Sequence, residues 1–318
     1  MKTPGFWKDI NFFSNLFAPL GWIYGTITAL RLLLVRGKKI GVPVVCVGNL
    51  TAGGVGKTPV SVSIAQMMIR AGKKPFFITR GYGGKLQDIV VNKELHTPKE
   101  VGDEPLILAQ TATTVVNKDR YLGAFRAADC GADMIIMDDG FQNPGLYKNT
   151  SFIVVDGNQG FGNNRCIPAG PLREFIKIGL MRADAVLLLG ETKPEILKLL
   201  YKKKIFRGKI VPIPPTAKNK RVIAFAGIGH PQKFYKSLED CGFEIIATHD
   251  FADHHFYTEK ELNKLFEESV KKEADLYTTS KDFVKIPTHL RHLFNVLEIT
   301  VEWENPEELK NFILRNRH

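Results

Sequence analysis

The segment Thr51-Ala52-Gly53-Gly54-Val55-Gly56-Lys57-Thr58 lies between an apolar run, VPVVCVGNL, and a helix-forming run, TPVSVSIAQMMIRAG. A strand that feeds a glycine-rich turn and then a helix is the layout of a P-loop, and it commits the chain to a parallel α/β sheet. The glycines let backbone N–H groups face phosphate oxygens at the helix N-terminus. Lys57 can reach the β and γ oxygens and the Thr58 hydroxyl can hold Mg²⁺, while Pro59 at the helix start loses no needed donor. One position departs from the G-x-x-x-x-G-K-[ST] pattern: Thr51 stands where the first glycine is usual.

Further apolar runs follow at intervals that allow crossovers: KPFFITRGYGG, TTVVN, DMIIMDD, SFIVVDG and DAVLLLG. Continuous apolar runs of this length read as strands buried on both faces. The expectation is a doubly wound, mostly parallel sheet with ligands at the carboxyl ends of its strands. The proline cluster Ile210 to Lys220 (IVPIPPTAKNK) reads as a stiff linker. Beyond it a second, smaller α/β unit is expected from RVIAFAGIGH, KFYKSLEDCG, FEIIATHDF, a Thr-capped helix TEKELNKLFEESVKKEA and DLYTTSKD. FNVLEITVEW reads as one closing strand and NPEELKNFILRN as a C-terminal helix. The expected divisions are an N-terminal helical region over 1–40, a P-loop domain over 41–213 and a smaller domain over 214–318.

Leu16 to Val35 is an apolar stretch whose only charge is Arg31, and Arg36, Lys38 and Lys39 follow it. Pro19, Gly21, Gly25 and Arg31 argue against a spanning helix, and Asp9 with no small-residue cleavage site argues against a signal peptide. An interfacial helix, with Trp7, Trp22 and Tyr24 at headgroup depth, fits this composition better than a buried core helix. Lys plus Arg at 44 against Asp plus Glu at 33 gives a net charge of +11, which suits anionic lipid or phosphate. No RRM, helix-turn-helix or zinc-finger pattern accompanies it, so nucleic acid is not expected. Four widely spaced cysteines imply neither a disulfide framework nor a zinc knuckle.

Asp133 to Gln142 (DMIIMDDGFQ) is an apolar strand ending in the paired acids Asp138 and Asp139. It has the form of a Walker B element, able to hold Mg²⁺ or its water beside the P-loop hydroxyl, although paired acids before a glycine also suit an ordinary turn. In GDEP, Asp103 precedes an apolar helix and by itself reads as an N-cap. In HDFADHH, His249, His254 and His255 cluster with Asp250 and Asp253, which reads as an acid/base pair or a surface histidine group, with no third ligand fixed for a metal.

Eight strings taken together resemble the tetraacyldisaccharide 4′-kinase family of lipid A biosynthesis: GNLTAGGVGKTP, TRGYGG, GDEP, DDGFQ, PAGPLRE, AGIGHP, FADHH and TTSKDFVK. Val55 replaces a commoner Thr or Ser type, and Ser280 stands where an acid is usual. The resemblance implies transfer of the ATP γ-phosphoryl group to the 4′-hydroxyl of a tetraacylated glucosamine disaccharide 1-phosphate, giving lipid IVA. It implies ATP and Mg²⁺ as cofactors, an acylated disaccharide lipid as partner, and a peripheral position on the cytoplasmic face of a bacterial inner membrane, with no obligate protein partner. By the same resemblance Asp103 accepts the sugar hydroxyl proton with His254 beside it, the two meeting when the domains close. Asp138 and Asp139 serve Mg²⁺, and Arg173 and Arg80 contact substrate or phosphate. A P-loop NTPase that works as a conformational switch without an acceptor is the alternative.

Overall fold

The computed structural model describes residues 4–216 and 219–315. Ala217 and Lys218 of the proline cluster, and Asn316 at the end of the closing helix, lie outside the described residues.

Two N-terminal helices, α1 (Phe12–Leu16) and α2 (Ala18–Leu34), precede a large unit. It runs β1 (Val44–Gly48), α3 (Lys57–Arg70), β2 (Pro75–Thr79), β3 (Ile89–Val90), α4 (Pro98–Val101), α5 (Asp103–Leu108) and β4 (Thr114–Val116). It continues through α6 (Arg120–Asp129), β5 (Met134–Asp138), β6 (Thr150–Asp156), α7 (Ile176–Arg182), β7 (Ala185–Leu189), α8 (Pro194–Leu200) and β8 (Lys204–Pro212). A second unit holds β9 (Arg221–Ala226), α9 (Pro231–Asp240), β10 (Glu244–Asp250), α10 (Glu259–Lys272), β11 (Asp275–Thr279), α11 (Ser280–Phe283) and β12 (Asn295–Leu297). β13 (Ile299–Trp303) and α12 (Pro306–Arg315) close the chain.

The first sheet is nine-stranded, in the order β13-β8-β7-β6-β1-β5-β2-β4-β3, and only its edge pairs β13·β8 and β3·β4 are antiparallel. On one side of β1 the chain lays down β2, β3 and β4 and then returns to insert β5, and on the other it winds outward through β6, β7 and β8, so β1 and its neighbours β5 and β6 lie at the switch point where ligands bind in such sheets. The continuous apolar runs have the reason expected of them. Val44 and Cys46 pack on one face with Ile135 and Met137, whereas Val45 and Val47 pack on the other with Val60 and Ile64 of α3. The second sheet is parallel, in the order β10-β9-β11-β12.

The expectation for the C-terminal part needs correcting in two places. FNVLEITVEW is two strands: β12 pairs with β11 in the second sheet, and after Glu298 the chain crosses to pair β13 with β8 in the first. Residues 299–315 therefore leave the 214–318 unit, drawn by apolar burial: Val301, Leu309 and Ile313 enter the core under α3, and the Trp303 Nε1–H donates to Ser63 Oγ at 2.9 Å. The proline cluster is also shorter as a linker than its composition implies, because Ile210–Pro212 is the end of β8. Ile213 N–H donates to Glu298 O at 2.8 Å, so two antiparallel chain segments join the units.

α2 turns a face of small residues inward. A Cβ on Gly21 would lie 2.7 Å from Cys166 O, and one on Gly25 would lie 2.6 Å from the Phe175 ring. Most of its large side chains other than Leu32 point out: Trp22 is 69% exposed, Ile27 61% and Leu34 78%. A buried core helix is incompatible with that exposure. Trp7 differs from its expected headgroup placement, since its indole N–H donates to Pro168 O at 2.9 Å. Among the described residues no helix is long and apolar enough to cross a membrane.

Candidate active site

The P-loop leaves β1 and enters α3 at Lys57, with Gly53 at φ 123° and Gly56 at φ 84°, conformations that L side chains avoid. Gly56 is also crowded, since a Cβ there would meet Ile210 Cδ1 at 2.7 Å, whereas Gly54 faces open space. Thr51 needs no glycine because its backbone is not at positive φ. It is held extended against the PAGPLRE segment: Thr51 bridges Leu172, Ala52 N–H donates to Pro171 O at 2.7 Å, and Arg173 N–H donates to Leu50 O at 2.7 Å. Val55 is buried in the core, which explains an apolar residue at that position.

Asp138 ends β5 beside this loop and is 1% exposed. The Thr58 hydroxyl donates to its Oδ2 at 3.3 Å and the Ser61 hydroxyl to its Oδ1 at 2.7 Å. Burial, followed by the negative charge of Glu104, pushes its carboxyl up to about 7. Asp139, at φ 50°, has different partners. Its carboxylate accepts from Arg173 Nη1 at 3.0 Å and lies 3.7 Å from Lys57 Nζ. Burial works to raise that carboxyl, but Lys57 and Arg173 outweigh it and hold it below the usual range. The two neighbouring acids are thus sorted by backbone geometry into a buried one behind the Thr58 hydroxyl and a half-buried one on the basic groups.

Asp103 is not a helix cap. Gly102, at φ 94°, occupies the cap position and Asp103 begins α5. Asp103 Oδ1 accepts the Glu104 N–H at 3.0 Å, and Oδ2 lies 3.0 Å from His254 Nδ1. The expectation that the pair meets only on domain closure is therefore corrected, because the interface of α5 with α11 already brings the units together. The glycines of TRGYGG permit the packing behind it: a Cβ on Gly84 would lie 2.4 Å from Val101 C, and one on Gly81 2.9 Å from Val101 O. The Asp103 hydrogen bond, ahead of the opposing effect of burial, raises His254. Asp103 is lowered although burial opposes it, through that hydrogen bond and the charge of Lys281. The histidine cluster itself divides, with His249 on Glu268 and His255 on Glu261. Among the described residues no group of three or more His, Cys, Asp or Glu could hold a metal by themselves.

Arg80 follows β2 and is exposed, near enough to Arg120 for the two charges to interact. Arg120 was not legible as a site residue. It is buried at the start of α6, donates to Asn117 O at 2.7 Å, leaves its Nε unpartnered and acts electrostatically on Asp138 and Asp139. Burial lowers its guanidinium to about 10. Only a charged residue just behind the cap Asp119 hinted at it. Lys281, 3.6 Å from Glu104, and Glu174 were missed as well. Glu174 is fully buried, pairs with Arg182 at 2.5 Å and accepts from Gln142 Nε2 at 2.9 Å, tying DDGFQ to PAGPLRE.

Residues 13–317 match the family described as tetraacyldisaccharide-1-P 4′-kinase. The tetraacyldisaccharide 4′-kinase of Paramagnetospirillum magneticum is 44% identical over 314 residues, covering 97% of each chain. This chain belongs to the tetraacyldisaccharide-1-P 4′-kinase family. The family's enzyme from Rhodospirillum rubrum is 41% identical over 314 residues, covering 96% of this chain and 95% of that one. Among solved structures, the apo-form LpxK from Aquifex aeolicus in complex with ATP superposes with a TM-score of 0.80 at 27% identity, over 96% of this chain and 100% of that one. A kinase of this family thus shares the two-sheet architecture from end to end.

Proposed function

We infer that this chain transfers the γ-phosphoryl group of ATP to the 4′-hydroxyl of a tetraacylated glucosamine disaccharide 1-phosphate, forming lipid IVA. The observation that carries this reading is the 44% identity to a tetraacyldisaccharide 4′-kinase over 97% of both chains. The switch-type NTPase reading is not favoured.

Phosphoryl transfer needs positioning, charge neutralisation and one base to orient the nucleophile. The P-loop N–H groups and Lys57 cradle the β and γ phosphates of ATP, the nucleotide with which the Aquifex relative is in complex. A hard divalent cation fits the oxygen donors gathered here: the Thr58 hydroxyl and a buried Asp138 carboxylate that, among the described residues, has hydroxyl partners and feels Lys57 only at a distance. Thr58 and Asp138 would hold Mg²⁺ directly or through water, with Asp139 beside them, and bound there it would supply neutralisation of phosphate charge. Arg173 and Arg120 add fixed positive charge over the same acids. Asp103 accepts the proton of the 4′-hydroxyl, and His254, bonded to it at 3.0 Å, orients the carboxylate and shares that proton. Arg80, exposed and close enough to Arg120 for their charges to interact, would contact a phosphate of the acceptor.

The outward apolar side of α2, with Arg36, Lys38 and Lys39 exposed at its end, supports a peripheral position on the cytoplasmic face of the inner membrane, where the acylated acceptor resides. The test is incubation of the purified protein with disaccharide lipid and Mg-ATP. A mass gain of one phosphate on the lipid, with ATP turnover that depends on the acceptor, is the expected result. Turnover indifferent to the lipid would instead restore the switch reading.

A further inference from the structure

Apart from Lys281, the string Thr278–Lys285 plays no part in the chemistry above, yet it contains the most completely enclosed carboxylate of the second unit. Asp282 in α11 is 0% exposed. Its Oδ2 accepts from the Gly227 N–H at 3.0 Å and from the Thr279 hydroxyl at 2.7 Å, and its Oδ1 accepts from Lys285 Nζ at 3.1 Å. The Lys285 side chain is buried too. A buried ion pair of this kind is a weak source of stability, because desolvation of both charges offsets most of their attraction. Its placement is more informative than its energy.

Gly227 is gripped on both sides. Asp282 holds its N–H, and its carbonyl accepts the His254 N–H at 3.2 Å. There is no slack in between: a Cβ on Gly227 would lie 3.0 Å from Ala252 O, 3.1 Å from Asp282 Oδ1 and 3.2 Å from the Tyr257 hydroxyl oxygen. His254 itself sits at φ 61°, a left-handed conformation that a non-glycine residue keeps only when its surroundings impose it. We propose that Asp282 is a positioning residue for His254: by anchoring Gly227 it holds the Ala252–His254 turn in the conformation that aims Nδ1 at Asp103. The neighbouring Lys281 acts from the other side, reaching Glu104 at 3.6 Å directly after Asp103. One short helix thereby secures both halves of the pair.

The inference rests on the reading of Asp103 and His254 as the proton-handling unit, and the test separates the two. Asp282→Asn keeps the shape and removes the charge that faces Lys285. Its kcat on the lipid acceptor should fall roughly tenfold to a hundredfold, the scale of a displacement of about 1 Å, with the KM for ATP unchanged. Added to His254→Ala, the same substitution should cause no further loss, since groups that act through one another are non-additive on removal. Normal activity in Asp282→Asn, or a loss that repeats in full on the His254→Ala background, overturns the proposal. If thermal melting shows that Asp282→Asn does not fold, Thr279→Val, which removes the hydroxyl that donates to Oδ2 and accepts the Asp282 N–H at the start of α11, goes through the same double-variant comparison. A fully active His254→Ala single variant would remove the proton-handling unit and this inference with it.

Discussion

His254 Nδ1 lies 3.0 Å from Asp103 Oδ2, although 151 positions separate the two residues and one opens α5 of the large unit while the other follows β10 of the second. The contact lowers one pKa and raises the other, so its contribution to stability has two edges. On the acid side it is lost as pH falls through the depressed Asp103 value. On the alkaline side it is lost as pH rises through the elevated His254 value.

For catalysis, Asp103→Ala and His254→Ala should each lose about 10² to 10⁴ in kcat with ATP affinity little changed, the usual range for a positioned general base. The double variant should be scarcely worse than the poorer single one. Asp103→Asn should also be impaired, because Gly102 and not Asp103 occupies the cap position. Steady-state kinetics on the four variants check this, and an active Asp103→Asn would leave the carboxylate without a chemical role.

Lys57→Ala and Thr58→Ala should abolish phosphoryl transfer while the fold survives. Lys57 contacts the half-buried Asp139, and Thr58 contributes a hydroxyl and not apolar bulk to the site. Circular dichroism paired with a lipid phosphorylation assay would show it. Near-normal turnover in either variant counts against the P-loop assignment.

Asp138 links activity to a stability cost. Its carboxyl is pushed up to about 7 by burial, against about 3.9 for an unfolded aspartate. Between those values the folded state binds more protons than the unfolded one, so this group's contribution to stability falls as pH rises from about 4 to about 7 and stays low above. Asp138→Asn removes the titration. The melting temperature of the variant should gain on that of the native chain as pH goes from about 5 to about 8, while its Mg-ATP-dependent activity is lost. A difference in melting temperature that does not vary with pH would contradict the buried, raised carboxyl.

Membrane association should depend on the outer side of α2 and folding on its inner side. Replacing Ile23, Ile27 and Leu30 together with Ser removes apolar area that contributes on the order of 25 cal/mol per Å² when buried in an interface, yet exposed positions change stability by only about 0.5 kcal/mol each. Vesicle co-sedimentation should drop while the melting temperature holds. Gly25→Ala should do the reverse, because its Cβ would press within 2.6 Å of the Phe175 ring, an overpacking that costs about 1–3 kcal/mol. Unchanged vesicle binding in the triple variant would remove the interfacial role of this helix.

Local sequence was sufficient for whatever depends on neighbours in the chain. The strand-loop-helix of Thr51–Thr58, the strand ending at Asp138 and the Thr258 cap of α10 are each set by a few consecutive residues, through apolar periodicity, glycine freedom and side-chain capping. The family was legible too, because its strings occur in order along the chain. Tertiary structure alone decided what depends on groups distant in sequence. Glu298 is where one apolar run divides between two sheets, since strand pairing is chosen by the edges available and not by composition. Arg120 and Glu174 carry no local signature beyond the position of Arg120 behind the cap Asp119, and their roles come from burial against acids and bases supplied by other segments. Asp103 reads as a cap until His254 arrives from the second unit, because a carboxylate's function is set by the groups around it, and the fold supplies those.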